Sequence, residues 1–371
     1  MKLRLNTDQL RKAVGSLMKA VPSKALIPIY DSLLVEPDGD RLRITASDGE
    51  LTVSTMVTLE ENSKGCSFAI PAKVLNDLMK NLPSGEITIE QKEDYSVNII
   101  WDCGASVMPV FEARDFPLPA KPADSAASIS STQKILKEAI EKTAFAASPD
   151  NDVRPVLTGV LLDCTGDTLS LAASDTHKMM IYQEGQIAPE KPVQAIIPRK
   201  AAMMLKGMLE KEGQVEMKID DSSAYFLFGA NELTTRLING RYPDYKSVIP
   251  KNNENLLTVG RNDILNIIRR ISVCSDRASM MLRMDLGTDS IRISAQDLGF
   301  SISAKETMQC TYDGQSMSIG FKAPMIIEVL SAIESDEVNL YFGAPNRALL
   351  VTPSDPTAEP VKGIVMPSAI K

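Results

Sequence analysis

Arg41-Leu42-Arg43-Ile44-Thr45-Ala46-Ser47-Asp48 is a strand-like run whose pattern occurs three times in the 371-residue chain. It returns as Thr168-Leu169-Ser170-Leu171-Ala172-Ala173-Ser174-Asp175 and as Ser290-Ile291-Arg292-Ile293-Ser294-Ala295-Gln296-Asp297, and the closing aspartates stand 127 and 122 residues apart. A second word keeps the same step. Ile70-Pro71-Ala72-Lys73 opens an apolar helical run, as does Ile197-Pro198-Arg199-Lys200, and Gly320-Phe321-Lys322-Ala323 holds the third place. The copies end alike, in Asp115-Phe116-Pro117, Arg241-Tyr242-Pro243-Asp244 and Val365-Met366-Pro367. Several matches in one order at nearly one period indicate a triplicated unit.

Each unit reads as helix, strands, second helix, further strands. Ile264, Ile267, Ile268 and Ile271 recur at helical spacing, as do Leu10, Ala13, Val14, Leu17 and Val21, and Ile135, Leu136, Ala139 and Ile140, so each set shares one helix face. Alternation such as Ile87-Thr88-Ile89 and Val215-Glu216-Met217-Lys218-Ile219 predicts antiparallel sheets covered by helices on one side. The fold class is α+β, with three helix-plus-antiparallel-sheet domains at 1–120, 129–250 and 256–371 joined by short connectors rich in Pro, Ala, Ser and Asn. The domains are expected to hold a fixed orientation if their sheets pair edge to edge.

Composition excludes several classes. Apolar residues make up 44%, charged residues 24% and aromatics 5%, the profile of a globular chain. No window reaches the roughly 20 apolar residues that span a bilayer, and the first residues alternate charged with apolar side chains, which gives the expectation of a cytoplasmic protein without membrane contact. Cys66, Cys103, Cys164, Cys274 and Cys310 are widely spaced and form no C-x-x-C pair, so no disulfide framework, metal site or cofactor is expected.

The formal charge of −8 hides a sorting. Helical windows at 7–24, 71–82, 132–147, 198–212, 261–277 and 322–334 hold 18 Lys and Arg against 10 Asp and Glu, leaving the remainder at −16. If the helices share one surface, Arg11, Lys12, Lys24, Lys73, Lys134, Lys137, Arg199, Lys200, Arg269, Arg270 and Lys322 line it. Such a lining attracts a polyanion without reading its bases. Windows 7–24, 71–82, 198–212 and 261–277 hold no aromatic residue, so the stacking used on single strands is not evident and duplex is the better candidate.

The only histidine lies in Ala173-Ser174-Asp175-Thr176-His177-Lys178. A hydrolase using His177 is one reading. The repeat argues against it, because Ser47-Asp48 fills the same place without a histidine, and triad partners seldom lie as close neighbours on one strand. No phosphate-binding Gly-rich loop and no G-x-S-x-G is present. A scaffold with no role on DNA is the third reading, prompted by the net charge.

Together with Asn239-Gly240-Arg241-Tyr242-Pro243-Asp244-Tyr245, Pro198-Arg199-Lys200 and Val365-Met366-Pro367, the histidine-bearing word resembles the bacterial DNA sliding clamps, the beta subunits of DNA polymerase III, over the whole chain. The resemblance implies a non-catalytic processivity factor: a head-to-tail homodimeric ring with helices inside and sheets outside, sliding on double-stranded DNA. It implies a pocket between the second and third domains for short peptide motifs of the polymerase III catalytic subunit, the clamp loader, other DNA polymerases and repair proteins. Its walls would be Leu157, Thr176, Met179, Pro243, Val248, Ile364, Val365, Met366 and Pro367, with His177 and Lys178 at the rim. DNA would face Lys24, Arg199 and Lys200 most directly, and Lys12, Lys73, Lys134, Lys137, Arg269 and Arg270 by charge. The dimer seam would set Ser106 and Met108 against Val273 and Cys274. Thr176 stands where glycine is common, Lys178 where arginine is, Met179 where leucine is usual, and Ser106 replaces an aromatic. The tail Ser368-Ala369-Ile370-Lys371 departs from the family's ending.

Overall fold

The structure, a computed structural model, describes residues 2–61, 67–92, 94–120, 122–123, 125–149, 154–185, 189–355, 357 and 359–370. Cys66, and Lys121 and Asp124 of the first connector, lie outside the described residues. The chain divides into two compact units, one of Met1–Lys137, Pro189–Val193 and Lys200–Leu237, the other of Glu138–Ala188, Gln194–Arg199 and Ile238–Lys371. The second repeat contributes strands to both.

In the first unit a nine-stranded antiparallel sheet runs in the order Ala127–Thr132, Gln214–Ile219, Ser223–Phe228, Asn231–Arg236, Leu51–Thr58, Arg41–Ser47, Ser32–Asp38, Phe68–Pro71 and Phe111–Glu112. Its middle joint pairs two repeats, with Leu233 opposite Val53. The second unit holds the counterpart: Val193–Pro198, Gly159–Cys164, Thr168–Ser174, Lys178–Gly185, Val361–Val365, Leu349–Pro353, Glu337–Phe342, Asn255–Gly260 and Thr311–Asp313. There Met179 lies opposite Ile364. The expected edge-to-edge pairing of repeats is therefore present in both sheets. Each unit also has a four-stranded sheet, ordered Lys2–Asn6, Glu86–Gln91, Ser96–Trp101, Gly104–Pro109 in the first and Ile302–Gln309, Ser290–Asp297, Met281–Leu286, Met317–Lys322 in the second.

Helices Thr7–Leu17 and Ala72–Asn81 cover sheet in the first unit, and Arg261–Ser272 and Ala323–Ala332 in the second. Helices Gln133–Thr143 and Arg199–Met208 belong to the second repeat. The apolar period holds: Leu10, Val14 and Leu17 are fully buried, as are Leu136, Ala139, Ile264 and Ile268. Strands alternate as expected where one face is wet, Gln214–Ile219 burying every second residue. Central strands depart from alternation, since Gly159–Cys164 is buried on both faces.

All six helices are shorter than the windows assigned from sequence. Thr7–Leu17 stops ahead of Pro22, which disfavours helical backbone at the residue before it and removes an N–H, so Lys24 lies beyond the helix rather than on it.

Buried charge ties repeats together in the second unit. Lys142, 7% exposed, donates to Glu334 at 2.7 Å and Glu359 at 2.8 Å. Glu359 also accepts the backbone N–H groups of Glu334 and Ser335 at the end of helix Ala323–Ala332. The hydrogen bond from Lys142 holds the Glu334 carboxyl below its usual value. Removing one member of a buried pair strands the other, at a cost of about 3 kcal/mol. Lys142→Met is accordingly expected to lower the unfolding free energy read from urea curves by about 3 kcal/mol, and Glu359→Gln on top of it to recover part of the loss.

Candidate binding surfaces

The Ser-Asp word makes a tight turn. Asp175 Oδ1 accepts the backbone N–H groups of His177 and Lys178, each at 2.9 Å, while the Ser174 hydroxyl accepts the Thr176 N–H and donates to the Lys178 carbonyl. Asp48 Oδ1 does the same for Glu50 and Leu51 in the first repeat. Thr176 takes φ +76° and Gly49, at the matching place, +92°. Glycine suits this left-handed backbone, and a β-branched residue there costs roughly 1–2 kcal/mol. The His177 imidazole is exposed and makes no hydrogen bond among the described residues, so the Ser-His-Asp neighbours form no relay.

On the face of the second unit's large sheet turned away from helix Ala323–Ala332 lies an apolar cluster, the floor of the site expected from sequence. Leu157, Met179 and Ile364 share one cluster with Leu161, Ala172, Ile181, Ile196, Tyr242 and Tyr245. Val248 and Met366, each 42% exposed, stand above it with Pro243 and Pro367 half-buried. The Met366 N–H donates to the His177 carbonyl at 2.8 Å, which fixes the chain end beside the turn. Tyr242 is 7% exposed, its hydroxyl has no hydrogen-bond partner among the described residues, and burial pushes that hydroxyl's pKa up.

Two residues assigned to the site belong elsewhere. Val365 pairs with Lys178, and opposite residues of an antiparallel pair share a face. That face looks onto helix Ala323–Ala332: a Cβ at Gly363 would lie 2.3 Å from Val329, and Lys178 reaches Glu328 at 3.0 Å and Asp175 at 2.5 Å. Val365, 0% exposed, is therefore core, and Lys178, 7% exposed, anchors the turn from below instead of standing at the rim.

The cluster depends on residues that sequence reasoning passed over. Asp163, on strand Gly159–Cys164, accepts from the Tyr245 hydroxyl at 2.8 Å and pairs with Lys246 at 3.2 Å, holding the helical turn Tyr245–Val248 that carries Val248. Asp244 caps that turn through its side chain. Gly240, φ +129°, passes so close to Val156 that a Cβ would sit 2.7 Å from it. A cavity of about 200 Å³ lies beside this cluster, walled by Asp163, Gln194, Arg241, Pro243 and Lys246 among others but not by Leu157, Met179, Val248, Ile364 or Met366. The word Asn239 to Tyr245 was legible; which of its aromatics turned inward was not.

Among the expected cations, Lys12, Lys24 and Lys73 are exposed and make no ion pair among the described residues. Lys134 is exposed and Arg199 half-buried. Others are engaged within the chain. Lys137 donates to the Leu209 carbonyl at 3.0 Å, just past helix Arg199–Met208, as Arg11 does to the carbonyls of Met79 in the last turn of Ala72–Asn81 and of Leu82 just beyond it. Lys200 pairs with Asp48, Arg270 with Glu306, and Arg269 bonds Ser331. At the expected seam Ser106 is half-buried and Met108 only 4% exposed, because both face the core beside Val97 and Ile99; Val107 between them is 60% exposed. Val273 is 82% exposed and Cys274 half-buried.

Repeated modules with exposed cations and an apolar cluster built from turn, strand and chain end define a binding protein. Models of the DNA polymerase III beta subunit match the chain in order, the N-terminal domain over residues 1–120, the central domain over 131–244 and the C-terminal domain over 246–369. The chain is 28% identical to the beta sliding clamp of Vibrio cholerae over 352 residues, 95% of each. It is 28% identical to that of Caulobacter vibrioides over 378 residues, 99% of each. A solved sliding clamp (DNA polymerase III subunit beta) from Pseudomonas aeruginosa bound to griselimycin matches at a TM-score of 0.95 and 26% identity, covering 100% of both chains. The chain belongs to the DNA polymerase III beta subunit family of sliding clamps, non-catalytic processivity factors of replication.

Burial raises the Asp163 carboxyl, but hydrogen bonds from Thr165, Tyr245, Lys246 and Gln194 outweigh it and hold the group below the ordinary 3.8. A depressed folded-state value means the contribution is complete above the ordinary value and is lost as pH falls through the folded one. Asp163→Asn is expected to unfold at lower urea than the parent at pH 7, with the gap closing below about pH 4.

Proposed function

We propose that two copies of the chain, each with domains at 1–120, 129–250 and 256–371, close head to tail into a ring around duplex DNA in the cytoplasm, with helices inside and sheets outside. The ring slides without reading sequence. It tethers the polymerase III catalytic subunit, the clamp loader, other DNA polymerases and repair proteins by short apolar peptides, and needs no cofactor. The observation that carries this reading is the sorting of charge. In a chain of net −8 the observed helices hold an excess of Lys and Arg, and Lys12, Lys24 and Lys73, on or just beyond them, are exposed and make no ion pair among the described residues. Arg199 and Lys200 even occupy the first turn of a helix that has no acidic residue there, against the helix dipole. Side chains kept at such a place suit an anionic partner. Loose phosphate contacts suffice when the link is topological, since a closed ring is held by its threading and not by its affinity.

Loaded protein is expected to persist on nicked circular DNA and to be lost from linear DNA of the same length. Equal loss from both overturns topological binding.

Leu157, Met179, Pro243, Val248, Ile364, Met366 and Pro367 form the site proposed for partner peptides, with Thr176 and His177 at its rim. A comparison within the chain supports this. Tyr30 occupies in the first repeat the place of Leu157 in the second: both sit on short turns, Pro28–Asp31 and Pro155–Thr158, at equal distances before the Ser-Asp word. Tyr30 packs edge-on against Phe116, centroids 5.5 Å apart, and fills the equivalent recess. Leu157 is shorter and leaves the site above Tyr242 open to a guest. Leu157→Tyr is therefore expected to weaken partner-peptide binding at least about tenfold in a fluorescence titration, roughly 1.4 kcal/mol, with dimerisation and DNA retention intact. Unchanged peptide affinity would count against this site.

A further inference from the structure

The aspartates of the Ser-Asp turns divide their two oxygens between two tasks. In the first repeat Asp48 Oδ1 accepts the Glu50 and Leu51 N–H groups and so builds the turn, which leaves Oδ2 for a cation. That oxygen holds Lys200, 152 residues further on, in the first turn of helix Arg199–Met208. In the second repeat Asp175 splits its oxygens the same way, but its Oδ2 takes Lys178 of its own turn. The two pairs differ in what can reach them. The Lys178 side chain is 7% exposed, whereas that of Lys200 is 53% exposed over a carboxylate that is 13% exposed. One pair is a buried brace, and the other restrains a cation that an anion in solution still meets.

Burial raises the Asp48 carboxyl, but the Lys200 ammonium and the N–H groups of the turn outweigh it and hold the group below the ordinary 3.8, so it is charged at neutral pH. The dipole of helix Arg199–Met208 opposes a cation in its first turn, and Asp48 offsets that opposition. A similar restraint occurs in the second unit. Arg270, in the last turn of helix Arg261–Ser272, donates to Glu306 through two nitrogens at 2.6 and 3.2 Å, and both side chains reach solvent.

We propose that Asp48 is a positioning residue that tethers Lys200 and rations its contact with duplex DNA: the ammonium reaches a phosphate only by leaving the carboxylate, so each contact is weakened by the pair it breaks. The inference rests on the DNA-encircling reading above. A lysine that binds phosphate ordinarily releases a counterion, and this release makes affinity depend on salt. When Lys200 moves to a phosphate, the bared Asp48 carboxylate attracts a cation in its place, and the release is largely cancelled. Asp48 therefore keeps a cation at the surface without letting it grip.

Equilibrium binding of the full chain to a short fluorescein-labelled duplex, followed by anisotropy between roughly 0.05 and 0.2 M NaCl, tests this. Asparagine serves as such a turn acceptor elsewhere in the chain, since Asn6 Oδ1 accepts the Asp8 and Gln9 N–H groups, so Asp48→Asn removes the charge and keeps the turn. The variant is expected to bind about three- to fivefold more tightly, the upper range for a partly exposed ion pair, and to steepen the plot of log K against log salt by about 0.9. Lys200→Gln alone is expected to change affinity less than about twofold, because the tethered ammonium contributes little net attraction. Added to Asp48→Asn, it should cancel the whole gain and restore the parent slope, which also shows that the turn survived. A gain that persists without Lys200 is general loss of negative charge and overturns the tether. An Asp48→Asn variant with the parent's affinity and slope overturns it as well. A parent with no affinity for duplex overturns the encircling reading, and the tether with it.

Discussion

Strand pairing between repeats is the constraint on which the rest depends. Val53 meets Leu233 in one large sheet, and Met179 meets Ile364 in the other, each across well over a hundred residues of chain. The entropic cost of closing such loops grows only slowly with length, so distant repeats can pair if the buried face is large enough. Side-chain direction alternates along a strand, hence register decides what the site contains. A slip of one residue would exchange Met179 and Ile364 for Lys178 and Val365, setting a lysine in the apolar floor and burying methionine under helix Ala323–Ala332. The Asp175–Lys178–Glu328 contacts help forbid that slip, because the ammonium has acidic partners only on the helix side.

Triplication then supplies three versions of one local problem, which is how to cover the outer face of a sheet at its Ser-Asp turn. The first repeat solves it internally. Tyr30 lies edge-on to Phe116 and beside Gly49. In the second repeat Leu157 and Tyr242 meet instead, the turn carries Thr176, and the third repeat contributes Ile364 and Met366. A site arises where a repeat stops filling its own recess. The same fold thus sets a ring at this place in one repeat and an isobutyl group in the next.

Sequence periodicity carried the fold far. Helix faces marked by Ile264, Ile268, Leu136 and Val14 were legible because the core imposes a 3.6-residue period that no other constraint disturbs. Repeat matching was equally reliable, since turn chemistry must recur where the backbone does. What could not be read was the partner of each charge. Arg11 and Lys137 look like solvent-facing residues on a helical wheel, yet each caps the carbonyl end of the neighbouring helix. Lys200 and Arg270 find carboxylates 152 and 36 residues away in the chain. Long flexible side chains choose their partners in three dimensions, and spacing along the chain does not encode that choice. Lys178 and Val365 were misplaced for a related reason: family words fix which residues surround a site, whereas strand parity fixes which of them face it.

Those internal commitments also shape how the surface meets an anion. A cation already held by a carboxylate contributes little net field beyond a Debye length, so Lys200 with Asp48 and Arg270 with Glu306 act close to neutral at a distance. Lys12, Lys24 and Lys73, exposed and without an ion pair among the described residues, are the cations proposed to supply the long-range attraction. Flexible ammonium groups contact phosphate as point charges without the fixed two-pronged geometry of a guanidinium, and they exchange one phosphate for the next at low cost. Exposed lysines set against a strongly acidic remainder give a weak attraction. A surface meant to glide along a polyanion needs that weakness, because every tight, directional contact would become a place to stop.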